Sequence, residues 1–166
     1  MIVTNFFKMK KNKRKCLILL CLIMVLPHIY AQNSNTSSLM NKVAVYWDSS
    51  LSMQQKDIDK ELLLLDAYFL EISNAEVNLV VFSNSVNSQE IFSISNGNWT
   101  SLKETLLNTN YDGIASFDVL LTEQKSDITF IFTDGVEIID KLKINNTIPT
   151  FAISSSKNNN TSKLLE

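Results

Sequence analysis

Two short stretches of this 166-residue chain place oxygen-bearing side chains at spacings that suit chemistry. In Asp48-Ser49-Ser50-Leu51-Ser52, one carboxylate and two hydroxyls recur at every second residue. In an extended turn such side chains can converge on one point. They form a hard-oxygen set suited to Mg²⁺ or Mn²⁺, ions that keep waters and leave a coordination position open. About 85 residues later, Thr133-Asp134-Gly135 supplies a second carboxylate. Each tripeptide has an ordinary reading of its own, because Ser50 or Ser52 would cap a following helix and Asp134-Gly135 would make a turn. Together, each at the end of an apolar run, they favour a metal site built from Asp48, Ser50, Ser52 and Asp134.

Those loops need a scaffold, and the runs around them read as alternating strand and helix. Lys42–Trp47 is a nearly continuous apolar stretch rich in strand formers, as expected of a central strand covered on both faces. Ile58, Leu62, Leu65, Phe69 and Ile72 alternate steps of four and three, so the spacing predicts a helix over 54–72. On that helix, Asp57, Asp59, Glu61, Asp66 and Glu71 read as the wet face. Val77–Phe82 is a second buried strand, and Glu90–Ile94 a weaker one at an edge. Trp99, Leu102 and Leu106 share one face of a short helix that Asn98 would cap. Tyr111-Asp112-Gly113 is a turn, followed by a brief helix near 116–121. Ile128–Phe132 and Ile148–Ile153 complete the strands. Strands separated by helices imply mostly parallel pairing, in a three-layer open α/β sheet with Val43–Trp47 at its centre, between Val77–Phe82 and Ile128–Phe132. In such a sheet ligands bind beyond the carboxyl ends of the strands, where both oxygen-rich stretches fall.

Composition removes several functions. Lys8, Lys10, Lys11, Lys13, Arg14 and Lys15 hold six of the fifteen basic residues, and none of the seventeen acids precedes Asp48. Beyond residue 31 the chain carries nine basic groups against seventeen acids, a formal charge of −8, which is no footprint for nucleic acid. Cys16, Cys21 and His28 all lie before that point. The remainder therefore has no disulfide, no thiol or imidazole nucleophile and no Cys/His zinc site. Three glycines, at Gly97, Gly113 and Gly135, leave no Gly-rich phosphate loop and so no nucleotide site of that kind. The leader itself has a basic stretch at 8–15, an apolar run of eleven from Cys16 to Leu26, Pro27, and a small residue at Ala31. This is the order and length of a secretory signal peptide cut after Ala31, shorter than the roughly 20 apolar residues of a bilayer-spanning helix. An exported location follows: periplasm, outer-membrane surface or secreted. The Asn- and Ser-rich stretch 32–40 reads as a linker, 41–155 as the domain and 156–166 as a frayed polar tail.

At these residues the sequence resembles a von Willebrand factor A (VWA) domain, over about 41–155. The resemblance is carried by Val43–Trp47 leading into Asp48-Ser49-Ser50-Leu51-Ser52-Met53, by Tyr111-Asp112-Gly113, and by Ile128–Gly135. It implies a Rossmann-like VWA fold and a metal-ion-dependent adhesion site, in which an acidic group of a protein ligand completes the metal shell. Carried over by position, Asp48, Ser50 and Ser52 would be the first-loop ligands and Asp134 the second carboxylate, holding Mg²⁺ (or Mn²⁺ or Ca²⁺). The chain looks most like N-terminal VWA modules of exported Gram-negative proteins, some of which continue into carboxypeptidase-like and TonB-dependent receptor domains. Two departures follow. The family places a Thr ligand two residues after the middle-loop glycine, where this chain has Ala115; Ser116 follows one residue later. The family also continues past Ile148–Ile153, so the domain reads as truncated at its C-terminus. These departures leave metal binding weakened or lost. The resulting expectation is a binding module, with a metal-free scaffold or a fragment of a larger outer-membrane protein as the alternative. An enzyme is disfavoured: a phosphatase of the haloacid-dehalogenase type would want a second acid at Ser50, and a receiver domain would want acidic neighbours and a late lysine.

Overall fold

A computed structural model describes residues 40–118, 125–136 and 147–160. The expected leader and most of the linker lie outside the described residues, as do the second half of the brief helix near 116–121 and residues 161–166 of the tail. Among the described residues, five strands form one sheet in the order β3-β2-β1-β4-β5. They are β1 (Asn41–Asp48), β2 (Ala75–Phe82), β3 (Val86–Ile94), β4 (Ile128–Phe132) and β5 (Thr150–Ile153). β1 pairs in parallel with β2 and with β4, and β4 with β5. β3 runs antiparallel to β2 at the edge, with a register shift between Val81 and Phe82. The sheet is therefore mixed but mostly parallel, with β1 central between the two strands expected.

β1 reads as continuous hydrophobicity because both of its faces are covered. Val43, Val45 and Trp47 point into one apolar cluster, shared with Leu62, Leu65 and Phe69 of helix α1 (Ile58–Ile72) and with Leu102 and Leu106 of helix α2 (Thr100–Leu107). Ala44 and Tyr46 point the other way, to Val80, Phe82, Ile131 and Phe117. The two α-helices among the described residues thus lie on one face, and the opposite face is met by Phe117. Leu65 and Phe69 are fully buried, and each such side chain contributes about 1.5–3 kcal/mol. Six aromatic residues, Tyr46, Trp47, Phe82, Trp99, Phe130 and Phe132, are buried in the core.

The helix expected over 54–72 is split. Leu51–Gln55 forms a 3-10 turn, Lys56 is extended (φ −71°, ψ 158°), and α1 begins afresh at Ile58. Asp57 explains the restart, since its carboxylate accepts the backbone N–H of Lys60 at 3.3 Å as an N-cap. At the other end Ser73 takes a positive φ of 61°, and its carbonyl accepts from Gly97 N–H at 2.7 Å. Gly97 itself needs φ +73°, and a Cβ there would meet Leu70 Cα and Phe69 O at 3.3 Å, so this crossing favours glycine. Asn98 accepts the backbone N–H and the hydroxyl of Thr100, the capping role expected of it, although Trp99 occupies the N-cap position.

Strand order reverses at β1. β2 and β3 lie to one side and β4 and β5 to the other, so the chain leaves β1 and β4 in a crevice at their carboxyl ends. That crevice is the switch point at which open α/β sheets bind ligands.

Candidate metal centre

The register aligns Trp47 with Phe132, so the next residues, Asp48 and Thr133, emerge side by side. Asp48 is wholly buried, and both of its oxygens are held. Oδ1 accepts the Ser50 backbone N–H at 2.8 Å, and Oδ2 accepts the Thr133 hydroxyl at 2.6 Å. Burial pushes the Asp48 carboxyl above the usual carboxylate range; hydrogen bonds from Ser50 and Thr133 oppose that rise, and the nearby Asp134 charge adds to it. Ser50 occupies the N-cap position of the 3-10 turn but makes no side-chain cap bond. Its Oγ instead lies 3.1 Å from Ser52 Oγ. Asp134 is also fully buried. Its Oδ1 accepts the Val136 N–H at 2.9 Å, while its Oδ2 has no hydrogen-bond partner.

The crevice therefore gathers Asp48, Ser50 and Ser52 on the first loop and Asp134 on the last, the four residues singled out from sequence. The middle loop docks against the first by two backbone bonds, Asp112 N–H to Ser49 O at 2.8 Å and Leu51 N–H to Gly113 O at 3.0 Å. Gly113 has φ +77°, and Asp112 Oδ1 accepts its N–H at 2.7 Å. Ala115 is buried, and Ser116 gives its N–H to Ser83 O at 2.9 Å. The polar stretch after β5, expected to fray, is instead tied down. Ser156 is buried, and Asn160 N–H reaches Asp134 O at 2.7 Å.

Among the described residues no three His, Cys, Asp or Glu side chains converge, so the donor set is two carboxylates plus hydroxyls. A buried carboxylate oxygen without a donor is costly unless a cation or water meets it, and Asp134 Oδ2 is such an atom. The donor chemistry suits a small hard cation, which Asp48, Ser50, Ser52 and Asp134 would hold.

Two features were not read from the sequence. Thr133 reads from sequence only as the residue that stops the Ile128–Phe132 strand, yet it grips Asp48 directly; its place one step past β4, beside Asp48, is the available signal. The larger correction concerns Glu61, assigned to the wet face of the helix and in fact only 1% exposed. It lies three residues after Ile58 and four before Leu65, which puts it on the apolar stripe. Its Oε2 stands 2.9 Å from the ammonium of Lys56, itself 2% exposed, in a buried ion pair. Oε1 accepts the Ser155 hydroxyl at 2.7 Å. The ammonium sits 3.4 Å above the Trp47 ring, a cation–π contact. Burial pulls the Lys56 pKa down, against the charges of Glu61 and Asp48. Tyr111 completes this layer. Its hydroxyl accepts Trp47 Nε1–H at 3.2 Å, and burial pushes its pKa up to about 12.

A polar groove of about 1020 Å³ opens beside the middle loop, between β3 and α2, lined among others by Asn84, Asn87, Glu104 and Asn108. None of the four candidate ligands lines it.

No family model and no curated protein matches the sequence. Among solved structures, the chain is similar to an aerotolerance-related membrane protein from Bacteroides fragilis, at 16% identity and TM-score 0.50, over 68% of this chain and 66% of that one. It is also similar to the PilB minor pilin from Streptococcus sanguinis (25% identity, TM-score 0.42, 56% and 29% coverage). A third is the SpRpn10 VWA domain (12%, 0.42, 62% and 64%). The chain thus spans less than two-thirds of each of these proteins. The likeness to the Bacteroides fragilis protein concerns fold alone, and accords with the mostly parallel α/β sheet and its strand order.

Proposed function

We propose that this chain is an exported binding module. In this reading it captures an acidic group of a protein ligand through a divalent cation held by Asp48, Ser50, Ser52 and Asp134. A VWA-like fold supports a binding or adhesion-type role in general. The observation that carries the metal reading is the buried, unpartnered Asp134 Oδ2 beside the buried Asp48. The cation would supply a Lewis-acidic centre with open positions, and a ligand carboxylate is the hard-oxygen side chain suited to fill one. The chain's own groups do the positioning. Thr133 and the Ser50 N–H orient Asp48, the Val136 N–H orients Asp134, and the bonded middle loop walls the crevice. With Ala115 at the expected Thr position, affinity is weak, in the millimolar range for Mg²⁺. Export rests on the leader's composition, and an envelope or extracellular setting accords with the membrane protein and the pilin among the similar structures. No catalytic role is proposed.

A specific observation also favours a metal-free scaffold. Both Asp48 oxygens already have protein donors, so the first loop is stable without a cation. Thermal unfolding with and without millimolar Mg²⁺ or Mn²⁺ separates the two readings. A rise in melting temperature that Asp48→Ala erases supports the metal module, and the absence of any rise with Mg²⁺, Mn²⁺ or Ca²⁺ leaves the scaffold.

A further inference from the structure

The polar groove between β3 and α2 has walls of its own. One comes from the sheet. In the β2–β3 ladder Ser88 lies opposite Val81, and Phe92 opposite Val77. Val77 and Val81 belong to the cluster beneath the helices, so Ser88 and Phe92 face the same side as α2. The other wall is helical. Ser101, Glu104, Thr105 and Asn108 follow steps of three, one and three, which puts them on one face of α2 and its C-cap. Leu102 and Leu106 take the helix into the core, and this second, polar face borders the groove. The space between the walls, about 1020 Å³, stands at the top of the roughly 300–1,000 Å³ range of small-molecule sites.

The lining decides the ligand class. Among the described residues no Lys, Arg or His borders the groove, while Glu104 and Asp112 do. Lys103, the cation of α2, is drawn off to Asp66 at 3.1 Å. Anions are therefore repelled. An apolar ligand would strip water from amides and hydroxyls without replacing their hydrogen bonds. A polyol replaces them, because each hydroxyl both donates and accepts, which suits amides, and can donate to carboxylates, which only accept. Phe92, partly buried in the floor, adds an aromatic face whose negative charge suits the C–H face of a sugar ring. One end is already fixed. Asn87 Nδ2 donates to Ser49 Oγ at 2.9 Å and to Ser83 Oγ at 3.2 Å, so this part needs little ordering on binding.

We propose that the groove between β3 and α2 binds a neutral oligosaccharide, with Glu104 and Asn108 holding its hydroxyls and Phe92 lying under a ring. None of Asp48, Ser50, Ser52 and Asp134 lines this groove, so the site works without a cation in the crevice. Titrations in EDTA keep the two questions apart. Maltotriose, cellotriose and triacetylchitotriose are added to the purified, isotope-labelled chain, with trigalacturonate as the anionic counterpart, and backbone amide shifts are followed by NMR. At least one neutral trimer should shift the signals of Ser88, Phe92, Glu104 and Asn108 together and saturably, leaving those of Asp48 and Asp134 in place. Trigalacturonate should bind at least about tenfold more weakly, because Glu104 and Asp112 repel its carboxylates. Glu104→Ala and Asn108→Ala change exposed side chains. Each should leave the melting temperature unchanged and weaken the neutral trimer about threefold to tenfold, the effect of one lost hydrogen bond. The absence of a saturable shift with all three neutral trimers overturns the proposal. So does equal binding of trigalacturonate, or full affinity in both variants.

Discussion

Replacing Glu61 by leucine, a side chain of similar volume, would strand the Lys56 ammonium in the core. In the native chain that ammonium is 2% exposed, 2.9 Å from Glu61 Oε2 and stacked on Trp47. Removing one partner of a buried pair costs about 3–5 kcal/mol, a large part of the ~5–15 kcal/mol that holds a domain. The cost has a ceiling, because the lysine can shed its proton. From the ordinary lysine pKa of about 10.4, neutralising it at pH 7 costs about 5 kcal/mol, and at pH 9 only about 2 kcal/mol. The sign follows from linkage. The folded-state pKa of Lys56 is depressed by burial, so the unfolded chain binds more protons between that pKa and the unfolded value. Stability therefore rises with pH through this window, and more steeply in Glu61→Leu than in the native chain. Urea unfolding followed by Trp fluorescence at pH 7 and pH 9 measures both effects. The expected loss is about 4 kcal/mol at pH 7, roughly halved at pH 9. Lys56→Met with Glu61→Leu should recover most of it, since a buried pair replaced by apolar groups is often neutral or better. A single variant within about 1 kcal/mol of the native chain, or a double variant as unstable as the single, would refute the argument.

Mg²⁺ at millimolar levels should raise the melting temperature modestly, and Asp134→Ala should erase the rise, as calorimetry with and without EDTA would record. Ala115→Thr should lower metal-free stability, because it forces a hydroxyl into a buried site, while enlarging the Mg²⁺ response. If Ser116→Ala removes the response and Ala115→Thr leaves it unchanged, Ser116 is the ligand. Val45 is fully buried in the central strand, so Val45→Asp should leave no cooperative thermal transition; a soluble, cooperatively melting variant would place Val45 outside the core. Intact mass of the protein from its native host should start at Gln32, and retention of Cys16–Leu26 in a membrane fraction would contradict cleavage.

Legibility in the sequence tracked how local the determining physics was. β1, β2 and β4 announced themselves because strands covered on both faces must be apolar throughout, and the central position of β1 followed from that. Asp48, Ser50, Ser52 and Asp134 stand out as candidates because oxygen donors recur at the ends of two apolar runs that pair in the sheet. The break at Lys56 was invisible to apolar periodicity, since the stripe starts only at Ile58 and leaves 54–57 undetermined, although Asp57 as an N-cap was a usable sign. Glu61 was misplaced because charge was allowed to overrule position. Its partner comes from outside the helix, and only the folded chain brings Lys56, Trp47 and Ser155 around it. The antiparallel β3 began four residues before the stretch read from sequence, because an edge strand with one wet face has little apolar signal.

The two carboxylates at the crevice are not equivalent, and that difference bears on how a weak site would act. Asp48 is fixed by Ser50 and Thr133 with or without a cation, so the first loop is preorganised and little ordering is left for binding to accomplish. Asp134 is held at one oxygen only, with the other buried and bare. A cation would gain most at the second residue, and the Asp134 repulsion, which adds to the rise that burial gives the Asp48 pKa, would fall at the same moment. Mass action limits the visible consequence. At a cation concentration equal to the dissociation constant, stabilisation is only about 0.4 kcal/mol, and at a hundredfold excess about 2.7 kcal/mol. On the proposed reading, a site lacking one hydroxyl ligand at Ala115 would work near the lower figure unless a ligand carboxylate added its own oxygen to the shell. Cation and acidic partner would then bind more tightly together than apart, because each would supply what the other's site lacks.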